Sequence, residues 1–425
     1  MALVGELELP RFDYTDPGCR GERFHTAMRQ LAGQGWLAAG PYGYMVLDRE
    51  AGEFFLRTRS AIFPGLKIAE LFDVKEGPLW EEMSQNILHV NGPDHTRLRS
   101  LVNPALSPRA VDRYRPVMRG FLEGLWLAVT GAPRGAGGGR GEGDAGRGSG
   151  GGDSFDFVEA FAKPYPSRVI ASVMGAPLAD APKLHHWSNW IQKQFDAASM
   201  MNERALIEEA VAEFYEYARA LLARRRDQPG DDLISALLAA EEQGERLSEQ
   251  ECVNLVLNVL IGGVDTTQSQ LAHTVRLLAE HPHQWAALAA DPGLAERAVE
   301  EALRYEPITP FTARITVEEV TFRDVTFPPD TIVMVCAFTA NRDLPDGSTD
   351  GEAFDITADR PRARALTFGA GVHYCLGANL ARLELKEALR FLAERVSKLE
   401  LRGDPVYESI TGIYGLAELP VAFVA

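Results

Sequence analysis

Residues Phe368 to Gly377, read as F-G-A-G-V-H-Y-C-L-G, set one cysteine, Cys375, between glycines and a run of helix formers, Ala378 to Val396. A thiolate needs positive potential close by. A cysteine entering a helix N-terminus receives it from unpaired backbone N–H groups and the aligned peptide dipoles. Gly369 and Gly371 let the chain turn tightly towards the sulfur, Gly377 leaves no Cβ to collide with a flat macrocycle, and Phe368 is placed to shield the sulfur. The pattern is that of an axial thiolate ligand to a metal carried in such a macrocycle. A buried free cysteine in a glycine-rich turn is the plain alternative, and it leaves the register of the other fixed residues to chance.

The segment resembles the haem-binding loop of the cytochrome P450 family, whose pattern F-G-x-G-x-H-x-C-x-G is met at every fixed position. The resemblance implies a mainly α fold with a smaller β lobe, and haem b held between a long distal helix and the proximal cysteine loop, with Cys375 as the iron's axial ligand. Thiolate ligation favours cleavage of the O–O bond, whereas a neutral histidine favours reversible oxygen binding. The implied activity is therefore monooxygenation, one atom of O2 entering a lipophilic small molecule. A peroxide-driven peroxygenase, a non-catalytic P450-like partner and a haem gas sensor are the rival readings. The pair Asp265-Thr266 speaks against the first, Cys375 against the second, and the lack of a visible signalling or DNA-binding segment against the third.

The remaining chemistry must be brought to the sulfur by helices. Apolar residues at three- and four-residue spacing predict helices over Ala205 to Arg226 and Ser248 to Glu280. The second carries G-G-V-D-T-T, Gly262 to Thr267, and each glycine inside a helix costs about 1 kcal/mol relative to alanine, so a reason is expected. By the resemblance this helix crosses the distal haem face. Gly263 is then where the backbone opens for oxygen and water, and Asp265 and Thr266 are the catalytic acid and alcohol of a short proton path. The plain reading is a Gly-Gly helix contact with a solvent-facing Asp265.

A further helix, Leu294 to Tyr305, holds E-x-x-R: Glu301 and Arg304 share a face and can pair. With Arg360 they resemble the family's buried Glu-Arg-Arg network, a folding element; Arg362 or Arg364 are alternative third members. Burying two haem propionates demands cationic or hydrogen-bonding partners. By family position these are His95, Arg99, Arg314 and His373. The substrate pocket is expected from the loop Leu71 to Leu88, from Ile261, Gly262 and Val264, from Ile308 to Thr312 including Phe311, and from Ile413 and Tyr414. These are mainly apolar and suit a lipophilic ligand. His185-His186 and His281-Pro282-His283 lack a third ligand at zinc spacing and are read as structural.

Composition bounds the setting. Across 425 residues, 43 Lys plus Arg against 60 Asp plus Glu give a net charge of -17, which disfavours nucleic acid and anionic membrane as partners. Hydrophobic residues at 46% suffice for a large core. The four cysteines are scattered, with no C-x-x-C pair and no basic, apolar leader at the N-terminus, so a reducing cytoplasm fits. The most apolar stretch, Leu255 to Val264, falls short of the ~20 residues that cross a bilayer, so no membrane anchor is expected and the soluble bacterial type is implied. No flavin fingerprint or iron-sulfur cysteine cluster is present, which implies a separate ferredoxin and ferredoxin reductase, with Arg109, Arg113 and Arg119 as a docking patch. Val317 to Phe338 and Ser409 to Phe423 carry the β-branched and turn residues of short strands.

One segment stands apart. Residues 131–153 hold 12 of the 39 glycines and almost nothing apolar, and read as a disordered surface insertion in an otherwise single domain spanning 1–425. Its G-E-G-D-A-G matches a dinucleotide-binding pattern by chance, since no strand precedes it and no apolar helix follows. Deleting 131–153 should leave haem uptake intact, and loss of the haem spectrum in the deletion variant overturns the insertion reading.

Overall fold

The computed structural model describes residues 1–131, 154–242, 247–344, 349–360 and 365–424; the proposed insertion lies outside them, except for Gly131. The fold is mostly helical with a smaller β lobe. In chain order the elements that build the site are α1 (Gly21–Ala32), β1 (Leu37–Gly40), β2 (Gly43–Val46), β3 (Ala61–Ile62), α2 (Pro78–Gln85), α3 (Gly92–Val102), α4 (Ala181–Gln192), α5 (Arg204–Asp227), α6 (Glu249–Gly263), α7 (Asp265–Glu280), α8 (Ala295–Tyr305), β4 (Phe311–Thr316), β5 (Ile332–Cys336) and α9 (Ala378–Ala393).

The distal helix begins where its sequence says it should. Ser248 caps the N-terminus through the N–H of Glu251, and the Glu251 carboxylate reaches back to the N–H of Ser248, two orphan donors satisfied reciprocally. Expected as one helix from 248 to 280, it divides at Val264, whose φ of -90 and ψ of -74 depart from helical values, so α6 and α7 follow end to end. The Thr266 hydroxyl donates to the Gly262 carbonyl at 2.7 Å across this break. The two glycines do different jobs. A Cβ on Gly263 would sit 2.3 Å from Ile170 Cδ1, so this glycine is required by close packing on the helix Pro164–Met174, whereas around Gly262 there is open space. The opening assigned to Gly263 therefore belongs to Gly262.

The β lobe is a five-stranded sheet of order β1-β2-β5-β4-β3, parallel at β2-β5 and antiparallel elsewhere. Arg314 lies on β4, opposite Val333 of β5. The N-terminal strands β1 and β2 were not expected, and Ser409 to Gly415 is a loop between the strand Val406–Tyr407 and the strands Leu416–Glu418 and Pro420–Val424. The largest core lies among the helices, and the sheet and the N-terminal segment each bury a smaller one.

A buried polar knot joins the two parts. Arg276 of α7 donates to Glu306 Oε2 at 2.6 Å, and His25 of α1 meets Glu306 Oε1 at 3.0 Å. His273 Nε2 faces the Tyr414 carbonyl at 3.1 Å, and the Tyr414 hydroxyl accepts from the Gly21 N–H at 2.8 Å. Burial alone raises the Glu306 carboxyl, but His25, then Arg276 and His273, hold it far below the usual carboxylate range. Its stabilising contribution is therefore present above the unfolded value near ~4.3 and is lost as pH falls towards the folded value. Glu306→Gln, which leaves buried Arg276 with Glu280 as its remaining carboxylate partner and His25 Nε2 without one, should cost roughly 3 kcal/mol at neutral pH. The gap from wild type should narrow in acid denaturation curves taken below pH ~4; a pH-independent gap refutes the assignment.

Candidate functional site

The cysteine loop is held by its own backbone. The Cys375 N–H donates to the Phe368 carbonyl at 2.9 Å and the Gly369 N–H to the Leu366 carbonyl at 2.7 Å. Gly369 and Gly371 adopt φ of 68 and 71, which L side chains rarely do, and a Cβ on Gly371 would lie 2.5 Å from the Leu56 carbonyl oxygen. A Cβ on Gly377 would meet nothing within 4 Å, so that residue borders open space. Burial pushes the Cys375 thiol up, while the N–H groups of Gly377 and Ala378 and the charges of Arg99 and Arg382 work in the opposite direction.

Above the sulfur opens a cavity of about 940 Å³ with mainly apolar walls. Cys375 and Phe368 lie on one side, Gly262 and Thr266 on another, with His95, Arg99, Arg314 and His373 also in the lining. Of the expected substrate residues, Ile261, Gly262, Phe311 and Ile413 line the cavity, as do Leu71, Phe72, Ile87 and Leu88. Val264 and Tyr414 do not. Val264 is fully buried in the helical core, and Tyr414 turns away to pack on Phe24, His273 and Tyr407.

The acid and alcohol face different ways. Thr266 looks into the main cavity, whereas Asp265 accepts from the Ser188 hydroxyl of α4 at 2.5 Å and has His185 Nε2 4.0 Å away. Burial raises the Asp265 carboxyl, against the pull of His185, Ser188 and Asn189. His185, read as structural, thus sits on the acid; only the fold reveals this, because some eighty residues separate them. His281 bonds the Leu277 carbonyl, and no metal-binding cluster of three occurs among the described residues. Sequence reading also passed over Glu384, on the buried face of α9. It lines the cavity, both its oxygens lack a partner, and burial pushes it well above the usual carboxylate range. An acid among Leu380, Leu383, Leu385 and Leu389 was the available signal.

Comparison with known proteins decides what the cavity is for. The family model for cytochrome P450 matches residues 168–291 and 293–397. The chain belongs to the cytochrome P450 family. It is 32% identical to luteothin monooxygenase of Streptomyces thioluteus over 98% of this chain and 97% of that protein. With cyclomarin C epoxidase CymV of Salinispora arenicola it shares 34% identity over 86% of this chain and 88% of the other. The crystal structure of CalO2 superposes with a TM-score of 0.85 at 31% identity, covering 98% of this chain and 99% of that one. This P450 is accordingly a monooxygenase whose cofactor is haem, and the family draws on O2 and redox partners. No described helix is long and apolar enough to cross a membrane.

The residues present fit a haem. Arg314 is buried on β4, pulled down to about 10 by burial alone, and makes no ion pair among the described residues. His95 Nε2 and His373 Nδ1 are buried without partners, their rings 4.3 Å apart. His373 is pushed down to about 3, first by burial and then by His95, Arg314 and Arg99. A ligand carrying carboxylates answers this unmet demand, and a bound cation answers that of a buried thiol. Beneath the loop, Glu301 receives four bonds of 2.8 to 3.0 Å from Arg304 and Arg360, two from each. Arg304 also donates to the carbonyls of Gly351 and Ala353 at 2.6 Å each. Arg360 thus occupies the third position of the expected trio; Arg362 and Arg364 lie outside the described residues.

Because Arg314 is a buried charge with no counter-ion, Arg314→Met should raise the melting temperature of the haem-free protein. Haem loss to apomyoglobin should become roughly 10- to 100-fold faster, the worth of a charge-assisted bond. A destabilised apoprotein with unchanged haem retention contradicts the propionate assignment.

Proposed function

We propose that this P450 uses haem b to insert one oxygen atom from O2 into a lipophilic intermediate of bacterial secondary metabolism, in the cytoplasm, with electrons from a separate ferredoxin and reductase. The carrying observation is that Cys375 and the Thr266 hydroxyl border one large apolar cavity that also contains the unpaired cationic groups. The names of the relatives, among them erythromycin C-12 hydroxylase of Saccharopolyspora erythraea at 34% identity over 79% of this chain, support oxygenation of a natural product. Haem, when bound, supplies oxygen activation, which the Cys375 thiolate biases towards O–O cleavage.

The chain's own residues do the rest. Arg99, Arg314, His95 and His373 would hold the propionates, and Cys375 the iron. Phe311, Ile87, Leu88 and Ile413 hold a lipophilic substrate and exclude water from it. Thr266, its hydroxyl committed to Gly262, presents an oxygen that can accept a proton and pass it into the cavity. Asp265, raised by burial, holds that proton in reserve on the other side of the helix. On the proximal side, Arg113 pairs with Asp231 and Arg119 with Glu387, which leaves Arg109 as the exposed member of the expected ferredoxin patch without an ion pair among the described residues.

Two variants test the reading. Cys375→His should abolish the ferrous-carbonyl band diagnostic of thiolate ligation. Thr266→Ala should keep that band and divert reducing equivalents from product to peroxide, by roughly 100-fold in product yield if the alcohol is a positioned proton donor. Fully coupled turnover without the hydroxyl overturns the alcohol's role, and an unchanged carbonyl band in Cys375→His overturns the whole assignment.

A further inference from the structure

A second cavity, of about 130 Å³, lies beside α7, and most of the residues that line it carry polar side chains: Asn189, Lys193, Asp196, Gln268 and Ser269 among others, with Ile413 as an apolar member. It has room for several waters within reach of polar groups. Three carboxylates line it: Asp196, Asp265 from α7 and Glu408 from the loop after Tyr407.

Their partners differ. Asp196, also in the wall, is saturated by the Ser409 and Thr411 hydroxyls and the Ser199 N–H. Asp265 is held by Ser188 through one oxygen, while its Oδ1 lies 4.0 Å from His185 Nε2 without a hydrogen bond of its own. The Glu408 carboxylate makes no hydrogen bond or ion pair among the described residues, and the residue is half-buried. Its backbone is anchored: the Glu408 N–H donates to the Gly415 carbonyl at 3.0 Å, and the carboxylate packs against Gly415, where a Cβ would come within 2.3 Å of Glu408 Oε2. The nearest cation in the wall is engaged elsewhere, Lys193 lying 3.5 Å from Glu203 and 3.9 Å over the Trp190 ring. Gln192, Thr411, Gly412 and Ile413 line this cavity and the main one alike, so the two share a partition.

We propose that Glu408 is the outer donor of the proton supply, and that waters in the second cavity carry protons from Glu408 to Asp265. The proposal rests on the monooxygenase reading above and extends it by one residue and one cavity. In each transfer the Glu408 O–H bond breaks as one forms on the adjacent water, which yields its own proton towards Asp265. Glu408 is then recharged from bulk solvent, and no electron moves. Burial raises the Glu408 carboxyl, Asp265 raises it further, and Lys163, Lys193 and Arg20 pull the other way. A carboxyl shifted in this direction favours its protonated form, the form a proton donor needs.

The test uses the holoenzyme. In the ferric state without substrate, infrared titration follows the C=O stretch of buried protonated carboxyls. Glu408→Gln should remove one band and shift the midpoint of the Asp265 band, identified by its loss in Asp265→Asn, to lower pH, since a like charge has gone. A crystal structure should show waters bridging the two acids. During reductant-driven O2 uptake with a ferredoxin pair and lauric acid as the probe, Glu408→Gln should raise peroxide per O2 consumed by roughly tenfold, less than the ~100-fold lower bound for an acid acting directly. Glu408→Asp should restore coupling. An unmoved Asp265 midpoint, a dry cavity, or wild-type peroxide yield in Glu408→Gln overturns the proposal. Absence of the thiolate carbonyl band in wild type would instead bring down the monooxygenase reading, so the two failures are distinct.

Discussion

On the proposed assignment a sulfur anion has to be kept in the wall of a mainly apolar cavity, and much of the surrounding structure bears on that demand. Burial works against the charge on Cys375; the N–H groups at the start of α9 and the guanidinium groups of Arg99 and Arg382 work for it without balancing it. The deficit is met only when a metal cation arrives. Arg314, His95 and His373 show the reverse deficit: Arg314 is a buried charge with no ion pair among the described residues, and His95 Nε2 and His373 Nδ1 are buried without partners. The haem-free protein thus carries opposite unmet demands on either side of one cavity, and a single ligand with a cation at its centre and carboxylates at its rim satisfies both.

Distal chemistry depends on a second separation. Consecutive residues on one helix, Asp265 and Thr266, open onto different compartments, one polar and one apolar. A continuous α-helix already turns neighbouring side chains by about 100°; the departure at Val264 and the hydroxyl bond from Thr266 to Gly262 fix which side each faces. Substrate is thereby kept from the water that the acid needs.

Legibility in the sequence followed the range of the interaction. The cysteine loop, the capped start of α6 and the Glu301-Arg304 pair are local, set by residues within about ten positions, and each could be read directly. The helix break at Val264 could not be, because the Gly263 contact with Ile170 lies almost a hundred residues away in the chain. The same holds for His185 beside Asp265 and for the outward turn of Tyr414, which α1 and α7 impose together. The strands β1 and β2 escaped notice because Leu37 to Gly40 and Gly43 to Val46 are short and carry little β-branched character. Family order along the chain, rather than any local pattern, pointed to His95, Arg99, Arg314 and His373.

The glycine at 371 has a consequence for how the site is anchored. Its missing side chain lets the cysteine loop rest on the carbonyl of Leu56, and Asn341, Leu303 and Asn91 supply further bonds to the same loop. Among the described residues, none of the hydrogen bonds securing that loop originates in α4, which roofs the opposite side and holds Asp265. The bonds that fix the cysteine loop and those that hold Asp265 therefore come from different elements, so the seat of the sulfur and the setting of the acid are anchored separately.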